Sequence, residues 1–96
     1  MATTSYRMFL WHRIGRCHEN FRAPEITPNS MVYISVSEAT ANEVRFVGAA
    51  NITVHNISPS SGRVDFVITV DWHAKIHIMT DIIIFDQPSG PVIVGV

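Results

Sequence analysis

The chain has 96 residues, enough for one domain to bury a core without metals or disulfides, and residues 1–96 are read as a single domain. A formal net charge of -1 with no Lys/Arg run gives nucleic acid no electrostatic footprint, and no apolar run approaches a membrane span. The single cysteine, Cys17, excludes an intramolecular disulfide and a cysteine zinc site.

Charged residues make up 16%, against about 25% in an ordinary soluble domain, while hydrophobic residues reach 47%. Missing charge of this kind suggests a covered surface, most simply one covered by another copy of the chain. Six Arg against one Lys point the same way, since interfaces favour Arg and deplete Lys. Met1-Ala2-Thr3-Thr4-Ser5 does not read as a signal peptide, so a cytoplasmic location is expected. The sequon matches at Asn51 and Asn56 are then chance.

Residues 6–14 read as a first strand, with Tyr6, Met8 and Leu10 inward and Phe9 and Trp11 on the other side. Residues 15–30 hold Cys17, His18, Glu19, Phe21, Pro24 and Pro28, and are expected to form a long loop crossing one end of the domain. A strand over 31–37 turns Val32, Ile34 and Val36 inward, and 38–42 turns the chain. Val44 and Phe46 are the inward residues of the next strand. Gly48-Ala49-Ala50 marks a bulge or a close approach. Residues 51–57 form a further strand with Ile52 and Val54 inward, ended by the turn Ser58-Pro59-Ser60-Ser61-Gly62.

The stretch 63–85 carries the strongest pattern. Val64, Phe66, Ile68, Val70, Trp72, Ile76, Ile78, Ile82 and Ile84 recur at even positions, broken only by Ala74 and Thr80. Period two is the signature of strands with one buried face. A hairpin turning at His73-Ala74-Lys75 would pair Val70 with Ile78 and Phe66 with Ile82. A slip of one residue would bury Asp81 and His77 instead. The preceding turn, taken as five residues, pairs Asn56 with Val64 and Val54 with Phe66. After a break at 86–91, residues 92–96 make a last strand, apolar on both faces. Such an edge should lie inside the sheet or at a subunit contact. The expected fold is an all-β, single-domain antiparallel β-sandwich or small barrel of about eight strands.

In these registers His55 lies opposite Asp65, and Asp71 opposite His77, with His73 at the adjoining turn. Cross-strand neighbours have Cβ atoms roughly 5 Å apart, close enough for each Asp to bond its His. Asp71, His73 and His77 have the donor types that suit a divalent metal, while the plainer reading makes them polar pairs facing water. Trp72, at an inward position beside the turn, caps the core or offers a stacking platform for a sugar. Val47, Val67, Ile83, Phe85 and Ile93 point outward with the polar residues. Ile83 and Phe85 form a stripe that the N-terminal strand and long loop, or a second subunit, must cover.

No phosphate loop, nucleophile turn or placeable carboxylate pair is present, so no catalytic set emerges, and no cofactor is expected. The adjacency of Cys17 and His18 says little, because catalytic pairs are spatial. The leading reading is a non-enzymatic interaction module that self-associates into a homo-oligomer. The alternative is a protein binding a small ligand, a sugar or divalent metal, through Asp71, Trp72, His73 and His77. An enzyme stands third.

Overall fold

A sheet with one apolar face can bury it in two ways: by closing on itself into a barrel, or by stacking on a second sheet with the inner faces together. The computed structural model, which describes residues 3–95, shows the second solution. In chain order the strands are β1 (Thr3–Arg13), β2 (Gly15–Arg22), β3 (Met31–Ala39), β4 (Arg45–Phe46), β5 (Asn51–Ser60), β6 (Arg63–Asp71) and β7 (Ile76–Phe85). They form two antiparallel sheets, ordered β1-β7-β3-β4 and β2-β6-β5. The all-β class and the two-sheet arrangement agree with the expectation; the described strands number seven, not about eight.

The even phase of 63–85 holds: Val64, Phe66, Ile68, Val70, Ile76, Ile78, Ile82 and Ile84 are all buried. The hairpin does not. β6 is the centre of one sheet and β7 lies between β1 and β3 in the other, so residues 72–75 carry the chain between sheets. Val70 and Ile78 share a core cluster with Leu10, Phe66, Ile68 and Ile76, drawn from both sheets rather than from one. A hairpin and a crossover bury the same side chains, so periodicity could not separate them. The expected inward place of Trp72 fails for the same reason, since the residue lies on the exposed crossover.

Residues 15–30 are not one loop. Gly15–Arg22 is a strand pairing along β6, with Cys17 opposite Ile68, Glu19 opposite Phe66 and Phe21 opposite Val64. Glu19 hid it by placing a charge at an inward position. The charge is tolerated because Arg13 Nε donates to its Oε2 (2.7 Å) and Arg13 Nη2 to its Oε1 (3.1 Å). The loop that remains does close one end: Ile26 is buried beside Val64, Ile82 and Ile84. Gly62 N donates to Ile26 O (2.8 Å), and Ala23 N to Gly62 O (3.1 Å).

The β5–β6 turn is tighter than expected. Ser60 pairs with Arg63, leaving Ser61-Gly62 as a two-residue loop, with Gly62 in the left-handed region (φ 76°) that such turns need. A two-residue loop pairs even with odd. A bulge restores the phase: Asn56 and Ile57 together oppose Phe66, with Asn56 at φ 54°. Ile52 and Val54 therefore point inward before the bulge and Ile57 after it. Val54 pairs with Ile68 and His55 with Val67, in place of the expected partners. A second bulge sets Trp11 and His12 against His77, just before Gly15 (φ 68°) swings the chain into the other sheet.

β4 is only two residues long, and Val44 and Phe46 are exposed rather than inward. At Gly48 the expected close approach is present, since a Cβ there would meet the Glu38 carboxylate and the Phe46 ring. Residues 92–95 belong to no strand and are exposed, which corrects the expected last strand; Val96 lies outside the described residues.

Candidate functional site

The crossover and the bulges separate the residues singled out from the sequence. Asp71 ends β6 opposite Asn51, while His77 sits on β7 opposite Ala39, so the two are not cross-strand neighbours. His77 faces Trp11 edge-on (4.6 Å) and His12 (4.8 Å). Trp72 and His73 do meet, with rings 4.5 Å apart on the exposed crossover. Among the described residues no three His, Cys, Asp or Glu side chains come together to hold a metal ion.

On the outer face of β2-β6-β5, His55 contacts Thr69 Oγ1 (2.9 Å) instead of Asp65. Asp65 accepts from Arg63 and lies 3.2 Å from His18, and the Arg63 guanidinium holds its carboxyl below the usual carboxylate range. Cys17 points inward along β2, its Sγ 3.4 Å from Ile14 O, while His18 points outward. Successive strand residues face opposite ways, so the two do not form a thiol–imidazole pair.

The outer face of β1-β7-β3-β4 is organised differently. The register sets Arg7, Asp81 and Ser35 in one row, and Ser5, Ile83 and Tyr33 in the next. Arg7 grips Asp81 with both arms, Nε to Oδ1 at 2.7 Å and Nη2 to Oδ2 at 3.0 Å. Arg45 Nη2 reaches the same Oδ2 from β4 at 2.7 Å. Arg7 first, and Arg45 after it, hold the Asp81 carboxyl down to about 2, against the opposing effect of partial burial. An acid so strong stays ionised at neutral pH and is a poor proton carrier there. Its role is to tie β1, β7 and β4 together.

Beside this charged row the face is apolar and open. Tyr33 is 62% exposed and Ile83 38%. Tyr33 also meets Phe85 edge-on at 5.6 Å. β1 lies alongside β7 rather than over it, so it does not cover this stripe. β4 pairs with β3 only at Glu38 and Ala39, which leaves the margin of β3 over residues 31–37 without a strand partner. β5 approaches that margin without pairing to it. A groove of about 420 Å³ lies along it, lined by the inward Val32, Ile34 and Ile57 and by the outward Tyr33, Ser35, Asp81 and Ile83.

Sequence reasoning found the Ile83–Phe85 stripe but missed the open margin, because strand order is not written in local periodicity. Arg7 and Asp81 are 74 positions apart, and their one available signal was a shared outward phase. Among the described residues no helix is long and apolar enough to cross a membrane. Comparison with protein-family models, with curated proteins and with solved structures finds no match.

Proposed function

We propose that this chain is a non-enzymatic assembly module that binds a second copy of itself along the open margin of β3 and the apolar face beside it. The observation that carries this reading is the exposure of Tyr33 and Ile83 next to seven residues of unpaired strand edge. Natural sheets blunt free edges with Lys, Pro, bulges or a cover. Residues 31–37, Met-Val-Tyr-Ile-Ser-Val-Ser, contain neither Lys nor Pro. Tyr and Arg, the residue types enriched at interface centres, stand here as Tyr33, Arg7 and Arg45. The low charge content supports the same reading.

Light scattering on the purified chain at tens of micromolar tests it. The expected result is a mass of at least two chains, reduced to one by Tyr33→Glu or Ile83→Arg with the strand signal in circular dichroism retained. A single-chain mass for the unaltered protein would overturn the reading.

A further inference from the structure

Residues 92–94 read Val-Ile-Val, three β-branched side chains of high strand propensity, followed by Gly95. They form no strand, and Val92, Ile93 and Val94 are 93%, 87% and 79% exposed. The molecule thus displays a strand-forming segment without a sheet and a sheet margin without a strand. We infer that residues 92–95 of one copy add as a strand to the open margin of β3 in a second copy. This inference rests on the assembly reading above and names its means.

The two halves match in shape and chemistry. A strand sends successive side chains to opposite faces. Val92 and Val94 would lie on one side and Ile93 on the other. The inner side of the margin is apolar, lined by Val32, Ile34 and Ile57, and the outer side is mixed, with Tyr33 and Ile83 beside Ser35 and Asp81. At about 3.3 Å per residue, four residues span roughly 13 Å, within the roughly 23 Å offered by 31–37. Main-chain hydrogen bonds supply attraction in such strand addition, and alternate side-chain pockets supply selectivity.

A second copy is the better source than the same chain. Phe85 at the end of β7 pairs with Met31 at the start of β3, so the chain leaves the sheet at the β3 entry. A segment folding back from there would run parallel to β3, after a six-residue link, 86–91, that contains Pro88 and Pro91. The exposure of residues 92–94 shows that the single chain does not take this route. A segment from another copy is free to approach antiparallel, the more stable pairing. A two-fold dimer would make the exchange twice, each copy giving one segment and receiving one.

Amide hydrogen exchange combined with light scattering tests the inference, on the full chain and on two full-length variants. Val92→Lys with Val94→Lys places charge in the groove. Ile93→Pro keeps the segment apolar but removes one backbone N–H. Both changes lie outside the core, and retained circular dichroism confirms folding. The expected result is a dimer for the unaltered chain and a single-chain mass for both variants. Exchange over residues 31–37 should be faster in the variants by on the order of tenfold or more. Variants that stay dimeric with residues 31–37 still protected overturn strand exchange and leave self-association standing. A single-chain mass for the unaltered protein sinks both proposals. Protection of 31–37 lost in variants of a chain that was already monomeric would mean docking within one molecule, and also overturns the exchange.

Discussion

Replacing Thr80 by valine should make the protein more stable. Thr80 is on β7, fully buried, and its Oγ1 has no hydrogen-bond partner in the protein. Its cross-strand neighbours are Met8 on β1 and Val36 on β3, so no nearby group depends on the hydroxyl as a donor or acceptor. A buried polar group left unsatisfied costs about 1–3 kcal/mol. Valine offers a methyl group in nearly the same volume, and both residues are β-branched, so the rotamer entropy of the two chains is similar. Thr80→Val should gain about 1–2 kcal/mol, the lower part of that range, because the group is a single neutral hydroxyl rather than a charged one. In a domain of this size each kcal/mol raises Tm by roughly 4–8 °C. Urea denaturation at pH 7 and one dilute protein concentration measures the gain without a contribution from association. Thr80→Ser is the control: it keeps the hydroxyl, deletes the methyl and should fall below the unaltered protein by about 1 kcal/mol. If Thr80→Val is no more stable than the original, the hydroxyl is satisfied in solution and the reasoning is wrong.

Asp81 makes stability acid-sensitive: its folded pKa of about 2 lies below the unfolded value near 3.9, so its contribution is complete above about pH 4 and disappears as pH falls toward 2. At about 1.4 kcal/mol per unit, and discounted because Arg7 and Arg45 are half exposed, that contribution is about 1–2 kcal/mol. Asp81→Asn should lose this amount at pH 7 and flatten the decline between pH 4 and 2; a decline of unchanged steepness would place the acid sensitivity elsewhere. Glu19→Ala strands Arg13 at the sheet crossing and should cost about 2–3 kcal/mol, below the ~3–5 of a fully buried pair because Arg13 keeps some water. A double-mutant cycle with Arg13→Ala that returns no coupling would show that the pair does not hold the crossing together.

The inner faces were legible because burial imposes a two-residue period whatever the strand partner. Phe66, Ile68, Ile78 and Ile82 announce themselves in that way. What the period cannot carry is the identity of the partner, and this is why β6 and β7 read as a hairpin. Glu19 concealed β2 because the residue that compensates it, Arg13, sits on a different strand in the other sheet. The Asn56–Ile57 bulge was hidden by a second departure of opposite effect, the short Ser61-Gly62 loop, so that even residues still faced even ones along most of β5. At the candidate site, the outward phase of Ile83 and Phe85 was visible. The free margin of β3 was not, since it depends on β4 being two residues long and on β5 joining the other sheet.

The crossover at 72–75 also governs how the chain reaches this structure. Each sheet has its central strand, β6 or β7, on one side of that four-residue link, and β7 finds its partners in β1 and β3 only by closing long loops, with Thr3 meeting Phe85. Apart from the local pairs β3–β4 and β5–β6, little is rewarded until distant segments have met, and loop entropy is spent before that reward arrives. Neither sheet buries its inner face without the other, since Phe66, Ile68 and Val70 of one pack with Leu10, Ile76 and Ile78 of the other, so the chain should acquire order as one slow event, on the order of milliseconds to seconds, rather than sheet by sheet.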